Sequence, residues 1–354
     1  MKILHLSPCQ GAFGGIEAFV LAVGDELDST GVQVRVIFKK VQGFQLRPSL
    51  EQAIRDRPYP IQFIDRVDLR TVAKNIQWAN IVHGHNPLME AVFLAKWFCK
   101  PCVLTIYNWC RRNWHPRPWL WRLANRLADH RWYISDFVWD SWEPTSRHGS
   151  SGKLPIVSSL PTETVDFDKR QGFVFASRWV PNKGLRILLE AYTRADIDRD
   201  TWPLTLMGDG PLKEEVLAYI QQHNLTQVKI TGFISDEERN HRISHAMWMV
   251  TPPHTNEDLG LTVIESRSVK VPCIISRDGG LPEAGGKKAL SCRPGDIEGL
   301  KNLLEKTARM PKNEYIQLAE ATNLELKQYL KPLSLYSRAY RNTLRAHQKL
   351  LPSD

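Results

Sequence analysis

The sequence predicts an α/β protein made of two doubly wound, Rossmann-like domains. Three observations carry that expectation. Short β-rich apolar runs alternate with helix-period segments, the alternation starts afresh after Gly172, and a polar, aperiodic stretch (SSLPTETVDFDKRQG, 158–172) separates the two series. Such alternation gives parallel sheets covered by helices on both faces. In the first series KILHLS (2–7), QVRVIF (33–38), IQFI (61–64), NIVHG (80–84) and CVLTIY (102–107) read as strands. Ile16–Leu27, Leu69–Ile76, Leu88–Phe98 and Trp119–Ala128 carry the helical spacing between them. In the second, FVFAS leads into a helix over Lys183–Arg194, then PLTLMG, a helix from Leu212, QVKITG, a helix from Asp236, MWMVTP, a helix from Leu259 and PCIIS. The expected domains are 1–165 and 166–331. The final segment SLYSRAYRNTLRAHQKL has helical spacing after Lys331-Pro332, so 332–354 is expected to form a helix crossing back to the first domain.

At 354 residues and 42% hydrophobic content, two cores of ordinary size are within reach. No apolar run approaches the ~18 residues that span a bilayer, and MKILHLSPCQG reads as a first strand, too quickly polar for a signal peptide. Six scattered cysteines fit reduced thiols and a cytoplasmic location. Much of the net charge of +9 lies in 107–149, where Arg111, Arg112, Arg117, Arg122, Arg126, Arg131 and Arg147 accompany Trp109, Trp114, Trp119, Trp121, Trp132, Trp139 and Trp142. One reading is a pair of amphipathic helices with indoles inward and arginines solvated. The other is a surface for anionic lipid headgroups, placing the protein peripherally at the inner face of the membrane, or for a pyrophosphate-linked acceptor. No nucleic-acid motif accompanies the segment, so no nucleic-acid partner is expected. A zinc site from Cys99, Cys102, Cys110 and His115 is disfavoured, because a strand rising ~3.3 Å per residue would separate Cys102 from Cys110 by more than ~20 Å.

Open α/β sheets bind ligands beyond the carboxyl ends of their strands, so the residues that follow each strand matter most. After the first strand, Gly14 and Gly15 precede an apolar helix whose N-terminal amides suit an anion, although neither a GxGxxG nor a Walker pattern is present. After FVFAS, Arg178 and Lys183 can grip a diphosphate; the plainer reading is two solvated cations. In LMGDGP, Gly208 and Gly210 bracket Asp209 in a turn. In ITGFIS, Ser235 is a candidate N-cap. NEDLGLTVIES sets Glu257 in a loop and Glu265 in a helix that begins near Gly260, whose amide and that of Leu261 suit a phosphate.

Taken in order, Arg178…Lys183, Gly-Asp-Gly, Thr-Gly-Phe, Glu257-x7-Glu265 and RDGGLPE (277–283) resemble glycosyltransferase family 4. The likeness is strongest over 172–285, with GGIE and IVHGHN echoing the family's first domain. The resemblance implies the GT-B fold, with two domains facing a central cleft, and a UDP- or GDP-sugar donor used with retention of configuration. It implies no metal or other cofactor. Arg178 and Lys183 would then neutralise the donor diphosphate, and Glu257 would contact the sugar. Glu265 would hold the ribose hydroxyls, and Asp258, Leu259 and the amides of Gly260 and Leu261 would border the distal phosphate. Gly208 and Gly210 would let the backbone approach the donor, and Gly14 and Gly15 would close over it. Retention without an opposing nucleophile implies front-face attack, the leaving phosphate helping to deprotonate the acceptor. The acceptor is expected to be a glycan or a lipid-linked or surface-polysaccharide precursor.

Three departures stand out. Tyr107 and Asn108 occupy the place of the family's usual histidine, with His85 after the preceding strand as a substitute or a mere surface or capping residue. Asp258 replaces a common glycine, and SRSVK (266–270) a run of small residues, so bulk behind the donor pocket is expected to alter which sugar fits. The rival functions are a nucleotide-sugar epimerase of the same fold and a non-catalytic, membrane-docking binder. A degenerate binder would keep Glu265 yet show no turnover; Arg178 and Lys183 kept together with both glutamates argue against a mere membrane-docking scaffold built on 107–149.

Overall fold

The computed structural model describes residues 1–66, 68–110 and 116–350. The chain divides into two compact units, Met1–Ser159 with Leu330–Asp354, and Leu160–Tyr329.

Unit 1 runs β1 (Lys2–Cys9), α1 (Gly15–Ser29), β2 (Gln33–Lys40), α2 (Pro48–Ile54), β3 (Ile61–Ile64), α3 (Leu69–Trp78), β4 (Ile81–His85), α4 (Met89–Trp97), β5 (Cys102–Ile106), α5 (Pro116–Leu127), β6 (His130–Tyr133), α6 (Asp136–Trp142) and β7 (Ser151–Lys153). Its strands are parallel, in the order β3-β2-β1-β4-β5-β6-β7. Unit 2 runs β8 (Phe173–Ala176), α7 (Leu185–Arg194), β9 (Leu204–Met207), α8 (Lys213–Gln222), β10 (Val228–Gly232), α9 (Asp236–Ser244), β11 (Trp248–Thr251), α10 (Leu261–Ser268), β12 (Cys273–Ser276), α11 (Leu281–Gly285), β13 (Leu290–Cys292), α12 (Ile297–Ala308) and α13 (Lys312–Tyr329). Its parallel strands lie in the order β10-β9-β8-β11-β12-β13. Both sheets are therefore doubly wound. The order reverses between β1 and β4 in unit 1 and between β8 and β11 in unit 2, and crevices for ligands open at such switch points.

The final helix α14 (Leu335–Leu350) belongs to unit 1 and is held by a buried polar cluster. His5 on β1 pairs in register with His83 on β4, and His85 projects from the same face two residues on. All three rings are fully buried. His83 Nδ1 lies 2.6 Å from the Tyr340 hydroxyl of α14, and its Nε2 lies 2.8 Å from Thr105 Oγ1. Tyr336 stacks on the His83 ring and meets Trp132 edge to face. Burial holds the three imidazoles neutral, lowering His5 to about 3 and His83 and His85 well below the ordinary value.

Among its described side chains the Arg/Trp segment divides between scaffold and surface. Trp132 is buried, and Trp109, Trp139 and Trp142 pack against a core formed by α4, β5 and their neighbours. Arg131 is also buried, donating to the carbonyls of Arg126 (2.7 Å) and Ala128 (2.9 Å) and to Ser150 Oγ (2.6 Å). Arg147 pairs with Asp136 and Asp140. Exposed among the segment's described arginines and tryptophans are Trp119, Trp121, Arg122 and Arg126 on α5 and Arg147, together with Trp97 on α4. Arg111, Arg112, Trp114 and His115 lie outside the described residues, as does the side chain of Arg117. Among the described residues no helix is long and apolar enough to cross a membrane, and the cysteines bring no three metal ligands together.

Candidate functional site at the strand ends of unit 2

Four loops meet beyond the carboxyl ends of β8, β9, β11 and β12, and their backbones pass closer than side chains allow. Gly184 (φ +76°) follows a 3₁₀ turn over Pro181–Lys183, and a Cβ there would stand 1.8 Å from the Pro252 carbonyl oxygen. That turn is why α7 begins at Leu185 and not at Lys183. Gly208 (φ +118°) has the same relation to the Ser177 carbonyl, at 1.9 Å. Only glycine tolerates both the contact and the left-handed backbone. Gly210 likewise runs against the Trp179 backbone.

The loop after β11 is built on Asp278. Its carboxylate accepts from the amides of Asn256 (3.0 Å) and Glu257 (2.8 Å), while the Gly280 amide donates to the Glu257 carbonyl (2.7 Å). Gly279 (φ +52°) makes that approach possible, since a Cβ would lie 2.0 Å from the Glu257 oxygen. So positioned, Glu257 meets Lys183 across the β8/β11 switch, Nζ to Oε2 at 2.5 Å, both side chains mostly buried. Arg178 is exposed and makes no ion pair among the described residues. Helix α10 opens at Gly260 (φ +93°), and the first intrahelical donors are Val263 and Ile264, both onto the Gly260 carbonyl. The amides of Gly260, Leu261 and Thr262 therefore precede the ladder, at the positive end of the helix dipole. Asp258 and Leu259 are half-buried in the approach to that end.

Glu265 lies 4% exposed in α10. Arg239 of α9 donates to Oε1 at 3.1 Å, but Oε2 is buried with no partner. Burial raises its pKa, against the opposing pull of Arg239. An unpartnered buried carboxylate oxygen costs free energy and is suited to accept a ligand's hydroxyl. Ser235 caps α9 through the Glu238 amide at 3.2 Å.

Two sequence expectations change. The bulk of SRSVK is partly spent on packing helices: Arg267 is 1% exposed, donates to the carbonyls of Ala284 on α11 and Thr322 on α13 (2.9 Å for Thr322), and anchors those helices. His85 is neither a surface nor a capping residue. It is fully buried, Nε2 3.0 Å from His5 Nδ1 and Nδ1 2.8 Å from the Tyr107 hydroxyl, so both ring nitrogens are taken. Beside it Asn108 is exposed, and its Oδ1 accepts from Asn86 at 3.0 Å. In the β1 loop Gly14 caps α1 in extended conformation and Gly15 begins the helix. The glycine that the backbone demands there is Gly11 (φ +95°), 2.1 Å from the Gln45 oxygen if it carried a Cβ. Asp278 and Arg239 are functional residues that strand-end chemistry does not single out; the one hint of Asp278 is a carboxylate three residues before the Leu-Pro-Glu helix start.

The model of the family Glycosyl transferases group 1 matches residues 161–323, and that of Glycosyltransferase Family 4 matches residues 13–142. A 2-deoxystreptamine N-acetyl-D-glucosaminyltransferase of Niallia circulans is 28% identical over 246 residues, covering 60% of this chain and 62% of the relative's length. The O-antigen chain mannosyltransferase C of Escherichia coli is 33% identical over 103 residues, 29% of this chain and 26% of its own. Among solved structures, Anabaena HepE in complex with UDP aligns over 98% of this chain and 100% of its own with a TM-score of 0.81 at 15% identity. Two family models in the expected order, each on one doubly wound unit, make the conclusion plain: the chain belongs to the family 4-like glycosyltransferases of the GT-B fold.

Proposed function

We propose that the protein transfers a hexose-type sugar, with retention, from a UDP- or GDP-sugar to a glycan or lipid-linked acceptor of the surface-polysaccharide type. The observation that carries this reading is the convergence at the β8/β11 switch of unit 2. A cation pair (Arg178, Lys183), a helix N-terminus at Gly260 and Leu261, and a carboxylate with one orphaned oxygen (Glu265 Oε2) are what a nucleoside diphosphate requires. In the reaction the bond between the sugar's anomeric carbon and the distal phosphate oxygen breaks, and a bond to the acceptor oxygen forms on the same face. The acceptor proton passes to the departing phosphate. Arg178 and Lys183 lower the barrier by neutralising charge that grows on the leaving oxygen. Lys183 arrives already paired, so Glu257 holds the ammonium in place and exchanges part of that contact for a donor sugar hydroxyl. Gly208, Gly210, Asp258 and Leu259 border the donor, while Gly14, Gly15, Tyr107 and Asn108 belong to the acceptor-side unit. The chemistry asks for no metal, the cations and dipoles supplying the charge. The O-antigen mannosyltransferase relative supports a polysaccharide acceptor, and the UDP complex of HepE supports a nucleotide-sugar donor. The exposed Trp97, Trp119 and Trp121 with Arg122 and Arg126 support a peripheral contact with an anionic membrane surface.

Calorimetric titration with UDP, GDP and ADP tests the reading, repeated for the best ligand with Lys183→Ala and Glu265→Ala. One nucleotide should bind, both variants should weaken it, and a sugar panel on that base should then turn over. Binding without turnover on any acceptor would favour the non-catalytic binder, and conversion of the donor without transfer would favour the epimerase.

A further inference from the structure

Away from the strand-end site, the segment entering unit 2 lies against α9, and Glu163, His241 and His245 meet there. His241 on α9 and His245 at its C-cap stand four residues apart, with ring centroids 4.1 Å apart. Candidate ligand atoms, one from each of the three residues, lie within 4.8 Å of one another. The nearest pair, His241 Nδ1 and Glu163 Oε2, is 3.3 Å apart. That is long for a charge-assisted hydrogen bond, which runs about 2.7–2.9 Å. It matches the ~3.3 Å edge between two ligands each ~2.0 Å from a tetrahedral ion. His245 is already oriented, with Nδ1 2.8 Å from the His241 carbonyl oxygen. A carbonyl only accepts, so Nδ1 bears the proton and Nε2 keeps its lone pair. An imidazole fixed by giving its second N–H to a backbone carbonyl is the usual support for a metal-bound histidine. Buried Ser244 stands behind the cluster, its hydroxyl 3.4 Å from the Glu163 carboxylate and 2.8 Å from the His241 carbonyl.

We propose that Glu163, His241 and His245 bind one divalent transition ion of the zinc class, with a remaining position open to water. Two imidazoles and one carboxylate suit Zn²⁺ and Co²⁺, whereas Mg²⁺ and Ca²⁺ take oxygen-only sets. The groove bordered by Thr162, Glu163, Asn240 and His241, about 740 Å³, leaves space for that water. The site stands outside the transfer reaction. It clips the entry segment to α9, the helix whose Arg239 holds Glu265. The other histidine group is built differently: both ring nitrogens of His83 and of His85 already have partners within unit 1, and His5 Nε2 alone of the three residues' ring nitrogens has none, so the group serves as a latch on α14.

The test uses untagged full-length protein stripped with chelator, titrated calorimetrically with Zn²⁺ and followed by visible absorption with Co²⁺. One ion per chain is expected, with a Co²⁺ ligand-field band that Zn²⁺ abolishes. His241→Ala/His245→Ala should lose the ion entirely, and Glu163→Gln should bind about 10–100-fold more weakly. Far-ultraviolet dichroism and nucleotide binding, unchanged in these exposed-site variants, show that they are folded. Stoichiometric binding that survives the double substitution overturns the proposal, as does the absence of any binding at micromolar Zn²⁺.

Discussion

Both units gather polar side chains at the point where strand order reverses, yet the two clusters are finished in opposite ways. In unit 1 the histidines of β1 and β4 are fully buried, and the ring nitrogens of His83 and His85 are all spoken for by His5, Thr105, Tyr107 and Tyr340, while His5 Nε2 is buried without a partner. In unit 2 the groups at β8 and β11 stay charged and partly open: Arg178 is exposed, Lys183 and Glu257 neutralise each other, and Glu265 keeps an orphaned oxygen. A neutral network in which most members satisfy one another adds rigidity. One left incomplete stores affinity for whatever completes it. The same topology therefore serves as a helix latch in one unit and as a ligand site in the other.

The largest effect expected is on the open cluster. Lys183→Ala should lower kcat/KM by about 10²–10³-fold, the usual loss when a group aimed at developing charge is removed. Steady-state kinetics with the preferred donor would show it, and a change of under ten-fold would mean that Arg178 and the α10 amides suffice. Asp278→Ala comes next, at up to about 10²-fold, because freeing the amides of Asn256 and Glu257 lets the loop drift by ångströms. If the loss appears in KM alone, with kcat intact, Asp278 serves binding and not the positioning of Glu257. In the closed cluster Tyr340→Phe leaves His83 Nδ1 without its partner and should cost about 1–3 kcal/mol in urea unfolding, with nucleotide affinity unchanged. The latch also carries a pH signature. The histidines' folded pKa values are depressed below the ~6.5 of an unfolded chain, so their contribution is present above that pH and is lost as pH falls below it. Each can steepen the decline by at most about 1.4 kcal/mol per pH unit, read as a falling urea midpoint between pH 7 and pH 5; a flat profile over that range would falsify the latch.

The contrast between the units also explains what the sequence could tell. Lys183, Glu257 and Glu265 were legible because their chemistry is that of charged groups following strands, and strand ends can be located from periodicity. Asp278 was not, since its task is to accept two backbone amides from a loop 21 and 22 residues earlier in the chain. Gly14 and Gly15 drew notice as a pair, whereas the glycine with a steric reason to be one is Gly11, a fact set by where Gln45 passes. His5 hid inside a strand pattern as an ordinary polar position, and its meaning came only with Tyr340 more than three hundred residues on. Charge counting over 107–149 treated Arg131 like its neighbours, although it is a buried clasp for the end of α5. The short strands β6, β7 and β13 carry too few residues for alternation to register.

The smallest expected effect is the sharpest on the comparison itself. If Glu265 is held incomplete for a ligand's sake, removing its charge should help the empty protein and harm the complex. Its folded pKa is raised above the ordinary carboxyl value by burial, so its favourable contribution is full at low pH and is lost as pH rises through the folded value. At neutral pH the carboxylate is therefore a burden that Arg239 offsets only in part. Glu265→Gln should raise the melting temperature at pH 7.5 by about 2–4 °C, corresponding to ~1 kcal/mol for a unit of this size. The gain should shrink toward zero near pH 4.5, and nucleotide affinity should drop about ten-fold, one charge-assisted hydrogen bond becoming neutral. A lowered melting temperature at pH 7.5 would put Glu265 with His83 and His85 of unit 1, as a residue whose partners are already complete. The difference between the two clusters would then rest on Lys183 and Arg178 alone.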